Sequence, residues 1–510
     1  MKERLIRLGA IALVATLALA GCSAAVEESS SSTVEVTGGT LTLGSTFDAV
    51  SWDTADAEFG NRLQYMQPVY DSLLHLDADL EISPWLASDY SYNADSTVLT
   101  LTLRDDVVFT DGVAFNADAV KSNLEHIQKG TGQNSITLAS VAGIEASGEY
   151  ELVLTLSAAD PALLRNLALV AGMQASPSEL DSGSLKTAPT GSGPYVLDTA
   201  ATVVGSQYTY TRNIDYWNTD FFPYDSIVIK PLVDLTARLN ALKAGEIDAA
   251  SADSKSMAEA EASGLTVNTM QGDWQGLFII DRDGEKVPAL ADERVRQALN
   301  YAVDGDAILE SIRLGEGVST TQIFSPSSQA YDTELDDAYP YDPEKARTLL
   351  AEAGYKDGFD LTIPDIAGFS DVTAITVQSL TDIGIRVTTE TVAANQVISS
   401  LISGAFPVFI FSWGSSNSWQ DILKLVRPTA PWNMYQDETP ELTALILAAQ
   451  TTPAAEADDA FKAVSDYLVD KAWFAPWYVQ NNVYLNGAKT TVTMQPQNVV
   501  PYLWNYAPKS

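Results

Sequence analysis

Polar and apolar residues alternate over 40–43, 98–103, 150–156 and 207–211, the two-residue period of strands with one face buried and one wet. Val408, Phe409, Ile410 and Phe411 are apolar without a break, which predicts a strand covered on both faces. Elsewhere the period is helical. Val120, Leu124 and Ile127 share one face of a helix that Asn116 is placed to cap. Asp342, Pro343 and Glu344 supply an N-cap, a proline at the first helical position and an acid in the first turn. Leu349 and Leu350 follow, and Gly354 ends the helix. Further helices are predicted over 236–244, closed by Gly245, over 371–383, and over 292–314 with an interruption at Asp304 and Gly305. No internal repeat breaks this alternation of strands and helices, so the class is mixed α/β. A chain of 510 residues exceeds what one core organises, and two or three domains are expected.

The amino terminus departs from this pattern. Lys2, Arg4 and Arg7 precede an apolar run over 8–20, too short for a comfortable membrane span. The run ends Leu19-Ala20-Gly21-Cys22. This resembles a bacterial lipoprotein signal, with 1–21 removed and lipid carried by Cys22. The alternative is a short amino-terminal anchor with a chance cysteine. Cys22 is the only cysteine, so no intrachain disulfide is possible. Residues 22–39 are rich in Ser, Glu, Thr and Gly and read as a flexible tether. Together these predict an extracytoplasmic protein tethered by lipid to the cell membrane, in a periplasm or on the outer face of the cytoplasmic membrane.

A net charge of −38 argues against nucleic acid, which needs a basic surface. Catalytic signatures are missing. His75 lies in an apolar run and reads as packed or at an edge, and His126 reads as a helix-surface residue. There is no Gly-x-Ser-x-Gly elbow or Walker loop, and Gly315-Glu316-Gly317 lacks the third glycine of a dinucleotide loop. Asp77, Asp79 and Glu81 imitate the start of a calcium loop, but Ile82 stands where glycine is required. No catalytic residue, metal ligand or cofactor is therefore assigned. A hydrolase working with two carboxylates remains the enzyme alternative, because 67 acidic residues make any such pair uninformative.

Positive chemistry gathers where the apolar run 408–411 ends. Trp413, Ser415, Ser416, Asn417 and Trp419 place aromatic faces beside small hydrogen-bonding groups, the makings of a small-molecule pocket. The competing reading is a loop whose two tryptophans plug a core.

Several segments carry a resemblance. Pro68-Val69-Tyr70-Asp71-Ser72-Leu73-Leu74 is followed by Ile82-Ser83-Pro84-Trp85-Leu86-Ala87. Then come 101–112 with Phe115-Asn116-Ala117-Asp118-Ala119-Val120, Pro189-Thr190-Gly191-Ser192-Gly193-Pro194-Tyr195 and Arg212-Asn213-Ile214-Asp215-Tyr216-Trp217. The order continues through 237–248, 295–304, 341–346 and 351–355. In this order they resemble the extracellular solute-binding proteins of ABC importers, the family of oligopeptide, dipeptide and nickel binders (solute-binding family 5). The resemblance implies a two-lobed, hinged α/β fold of the periplasmic-binding-protein type. The first lobe would be discontinuous (40–77, 190–283 and 478–510), with an inserted subdomain over 78–189 and a second lobe over 284–477. A peptide or peptide-sized solute would bind between the lobes of a monomer, and the closed form would be read by an ABC permease and its ATPase. Catalysis is not implied; a tethered sensor on the same fold is the other alternative.

On this resemblance Trp413 falls on the family's cleft tryptophan, and Trp274, Phe47 and Trp52 are expected to line the cleft. Three residues after the cleft tryptophan, peptide-binding members carry an aspartate that pairs with the peptide's α-amino group. Here that residue is Ser416, and Asp421 lies farther on. An ammonium buried without a carboxylate costs several kcal/mol. The serine therefore opens the alternative of an uncharged ligand, such as an oligosaccharide or a blocked peptide.

Overall fold

Two long antiparallel strands, Thr266–Ile279 and Phe474–Asn486, form the spine of the protein in a computed structural model that describes residues 37–393, 396–414, 417–453 and 456–509. At one end Phe474–Asn486 pairs with Ala249–Ala252, which leads through Thr40–Ser45 and Ser226–Pro231 to Tyr208–Arg212 and Tyr195–Leu197. At the other end Thr266–Ile279 pairs with Val408–Gly414, completing with Gly317–Ser319 a nine-stranded sheet. Thr40–Ser45 is parallel to both its neighbours. The spine strands therefore cross from one lobe to the other.

The two faces of the second-lobe half of the sheet differ, as period-two side chains require. Trp274, Phe278 and Phe409 enter an aromatic core with Trp432 and Phe474. Leu277, Ile279, Val408 and Ile410 enter an aliphatic core with Leu299 and Ile363. Both faces are covered, which explains the unbroken apolar run.

The inserted subdomain is a four-stranded antiparallel sheet, Ala87–Tyr92, Val98–Leu103, Glu151–Leu156 and Val141–Gly148 in that order. Leu99 faces Leu154 and Leu101 faces Leu152 across the central pair. The helix Ala117–Lys129 packs there, and Asn116 accepts a 2.9 Å hydrogen bond from the Ala119 amide. Asp342 caps Pro343–Glu352 in the same way. The interrupted stretch is two helices, Glu293–Ala302 and Gly305–Arg313, the second capped by Asp304.

Asp71 joins three of the sequence segments at one buried carboxylate. It accepts from Trp85 Nε1 at 2.9 Å, the Tyr216 hydroxyl at 2.8 Å and Trp217 Nε1 at 3.1 Å. Burial pushes its carboxyl up to about 6 against those donors. Arg104 stacks over Trp217 at 4.1 Å. A fourth segment closes on the first through its glycines. Gly193 N donates to Val69 O at 2.8 Å, and a Cβ on Gly193 would lie 2.4 Å from the Val69 carbonyl carbon. Only glycine permits that approach.

His75 stacks on Trp85, and burial lowers its imidazole to about 4. His126 is not the free surface residue expected from its helix. Its Nε2 meets Asp53 Oδ1 at 2.6 Å, which raises the imidazole and ties the helix to the turn at Thr54–Asp56.

Candidate functional site

The spine strands part from regular pairing where the lobes meet. Their register runs to Gln271 opposite Asn481 and resumes at Trp274 opposite Val479, so Gly272 and Asp273 form a bulge. A cavity of about 370 Å³ opens at this bulge. Phe47, Phe59 and Arg62 form one wall, and Gln497 and Asn498 come from the carboxy-terminal segment. Gly272, Asp273 and Asn482 from the spine, with Gly414 and Lys424, complete it. Its walls thus come from both ends of the nine-stranded sheet. Two hydrogen bonds span the gap nearby, Gln497 Nε2 to Ser327 O at 3.2 Å and Gln450 Nε2 to Ala159 O at 2.9 Å.

The cavity's charges are unevenly satisfied. Arg62 is engaged: Nη1 meets Glu58 Oε2 at 2.5 Å, Nε donates to Asp48 O, and the guanidinium lies 5.3 Å from the Phe47 ring. Asp273 has no hydrogen-bond or ion-pair partner among the described residues, and burial pushes its carboxyl up to about 6, with the charge of Arg313 opposing. Lys424 sits on a π-helical turn, Ile422–Val426. Burial pulls its ammonium down, with Asp421 opposing. Asn498 buries both amide atoms without a partner, and so does the Tyr502 hydroxyl. Arg165 stacks over Phe59 at 5.0 Å while its Nε and Nη2 are buried and unpartnered. Of these, Asn498 lines the cavity, as does Gln497 with its buried, unpartnered Oε1, whereas Arg165 and Tyr502 lie outside its lining; unpaired polar groups at a cavity wall are groups a polar ligand can satisfy.

The sequence-predicted residues fall in different places. Phe47 is 47 % exposed and forms part of the cavity wall. Trp413 is half-buried; its Nε1 donates to Asp421 Oδ1 at 3.2 Å and its ring meets Trp432 edge-on. Asn417 caps the turn Ser418–Asp421. Trp419 is buried and borders a second cavity, about 580 Å³, between the inserted subdomain and the second lobe. Trp274 is 1 % exposed and stacks on Phe278 at 4.6 Å, inside the aromatic core rather than on the cavity. Trp52 is likewise buried, with Nε1 donating to Tyr65 O at 2.9 Å. Large rings gain more from a dry core than from a wet wall, which accounts for both positions. Ser415, Ser416 and Cys22 lie outside the described residues.

Asp273, Lys424 and Asn498 escaped the sequence reading. A signal existed for the first: an acid between Gly272 and Trp274, in a strand otherwise heading into a core.

Two hinged lobes that share a sheet and enclose a polar cavity define a solute-binding protein. Residues 81–423 match the sequence model of the bacterial extracellular solute-binding proteins, family 5, and the chain belongs to that family. It is therefore a solute-binding protein of the ABC-importer type, not an enzyme. The glutathione-binding protein GsiB of Pectobacterium atrosepticum is 29 % identical over 464 residues, 86 % of this chain and 87 % of that protein. HbpA2 from Haemophilus parasuis superposes with a TM-score of 0.81 at 21 % identity, over 92 % of this chain and 100 % of that one. The DppA periplasmic binding protein of Helicobacter pylori, solved with the peptide STSA, gives 0.77 at 21 % identity, over 93 % and 99 %. Among the described residues no helix is long and apolar enough to cross a membrane.

Proposed function

We propose that this protein is the lipid-anchored receptor of an ABC importer, which closes its lobes on a peptide-sized solute in the cavity at Asp273 and hands it to a permease driven by an ATPase. The observation that carries the reading is the cavity itself, walled from both lobes and lined with unpaired polar groups. The similarity to glutathione-binding proteins over most of the chain favours a short peptide. The oligosaccharide alternative is not favoured, because Trp52, Trp274 and Trp419, the rings that would stack on sugar faces, are buried.

Titration calorimetry against reduced glutathione and a set of tri- and tetrapeptides tests the reading. Saturable binding supports it; binding confined to glycans or chelates overturns it. Trp413→Ala is expected to weaken such binding about tenfold or more, the equivalent of roughly 1.4 kcal/mol, by releasing Asp421 and the strand end at Gly414. An unchanged affinity would make Trp413 a packing residue only. Anchoring is checked separately: Cys22→Ala moves the protein from the membrane fraction to the medium or periplasm.

A further inference from the structure

The cavity at the bulge has a neighbour. A second cavity of about 380 Å³ lies beside it, and Glu58 and Arg62 line both. Ala49, Val50, Tyr65 and Met66 wall this second chamber from the first lobe, and Thr131 and Gly132 wall it from the inserted subdomain. Gly132 seats the subdomain there: a Cβ on it would stand 2.4 Å from the Ala55 carbonyl oxygen. The chamber's polar groups are already used. The Tyr65 hydroxyl donates to Phe47 O at 2.8 Å, and Asp56 Oδ2 accepts from Ser51 Oγ at 2.9 Å. A charged group brought here would find no free partner, so the chamber suits an apolar, uncharged end of a molecule.

The partition between the cavities is the Arg62–Glu58 ion pair, and its two halves are held differently. Arg62 is anchored apart from the pair, with Nε donating to Asp48 O at 3.2 Å and the guanidinium over the Phe47 ring. Glu58 has no partner but Arg62 among the described residues. It stands on the segment 57–62, which joins Thr54–Asp56 to the helix Leu63–Met66 without helix or strand of its own. That segment turns through Gly60 at φ 103°, where an added Cβ would meet nothing within 4 Å. The two side chains of the pair are 30 % and 39 % exposed. Water and salt screen a pair so placed, and its hold is weak.

Pockets for small ligands occupy about 300–1,000 Å³. Each cavity alone is near the bottom of that range, and the two joined fall in its middle. We propose that the Arg62–Glu58 pair is a length gate. Closed, it confines solutes to those that fill the cavity at the bulge. A longer solute passes only when Glu58 swings away from Arg62, and its apolar end then lies against Val50 and the inserted subdomain. This rests on the solute-binding reading above and sets the size class of its ligand as short peptides.

Glu58→Ala removes the movable half of the gate. Wild type and variant are titrated with oligoalanines of three to six residues. A second series is reduced glutathione and the same tripeptide extended by one to three alanines at its glycine carboxylate. The wild type is expected to bind the three-residue member of at least one series about tenfold or more tighter than the six-residue member. Glu58→Ala is expected to shrink that ratio to about threefold or less. Glu58→Gln, which removes the charge and keeps the bulk, is expected to move in the same direction. Raising the salt to about 1 M should shrink the ratio in the wild type and leave it unchanged in Glu58→Ala. Val50→Trp, at a position 68 % exposed, brings a large ring to the second chamber. Added to Glu58→Ala, it is expected to restore the preference for three residues. A wild type that binds three and six residues alike, or a ratio that no Glu58 variant moves, overturns the gate and leaves the peptide reading standing. A gain for long solutes that survives Val50→Trp also overturns it, because the second chamber is then not where they go. No binding by any member of either series overturns both.

Discussion

Asp437→Ala is expected to lower the unfolding free energy by about 3–5 kcal/mol, the range for breaking a buried ion pair from one side. Urea denaturation at neutral pH measures it. Asp437 Oδ2 meets Arg282 Nη1 at 2.7 Å, with the two side chains 4 % and 3 % exposed. The guanidinium also donates through Nε to Trp473 O and stacks 4.1 Å over the Trp473 ring. Burial pulls Arg282 down to about 10, with Asp437 holding it up. Without Asp437 a guanidinium is left dry and uncompensated. Arg282 lies just beyond the strand Thr266–Ile279, and Trp473 just before Phe474–Asn486. The pair therefore clamps the second-lobe ends of both spine strands. The double variant Arg282→Met, Asp437→Leu should lose much less than Asp437→Ala, because it leaves no lone charge. Equal losses would mean that packing, not charge, holds this site.

Asp71→Ala should be the next most damaging change, on the order of 3 kcal/mol, because it orphans the buried Tyr216 hydroxyl and two half-buried indole donors at once. Asp71→Asn separates hydrogen bonding from volume. Oδ1 takes both Trp85 and Tyr216, whereas Oδ2 takes only Trp217. An amide oxygen in the Oδ1 position keeps two of the bonds, so the asparagine variant should be distinctly milder. If both variants lose the same amount, the negative charge rather than the donors is what the site needs. Thermal melting and intrinsic tryptophan emission, with Trp85 and Trp217 as reporters, distinguish the two.

Asp273 also predicts a pH dependence. Burial raises its carboxyl from an ordinary 3.8 to about 6, with the charge of Arg313 opposing, and Lys424, Arg62 and Glu58 are the other charges lining the same cavity. The folded state therefore holds the proton more tightly than the unfolded chain. This group's share of stability is greatest below about 4 and is lost as pH rises through about 6. Asp273→Asn should abolish that loss, which urea denaturation of wild type and variant at pH 4 and pH 7 measures.

Much of the fold is legible because its signals are local. Asn116, Asp304 and Asp342 cap the helices that follow them, and alternation at 98–103 gives a strand of the inserted sheet. The site is less legible. In a strand covered on both faces, hydrophobicity does not say which residue turns toward a cavity, and the tryptophans of greatest promise, Trp52 and Trp274, went to the interior. Asp273 faces the cavity because the bulge resets the alternation, and a bulge is a relation between two strands about 200 residues apart, invisible in either alone. Asp71 could be read as part of a segment, but its role depends on Tyr216 and Trp217, 145 and 146 positions away.

Thr40–Ser45 is an interior strand of the large sheet, and both its partners come much later: Thr40 faces Ser226 and Leu43 faces Ala249. A chain delivered amino end first offers this strand before anything exists to receive it. Its unpaired edges stay available to other chains until nearly half the polypeptide has followed, the interval in which strand-rich intermediates aggregate. Folding outside the membrane is therefore gated by arrival of the segment at 226–252, and pairings of such long sequence separation form slowly. Pulse-labelling during export should find Thr40–Ser45 unprotected from exchange until that segment has emerged, however early the inserted sheet at Ala87–Leu156 has closed on itself.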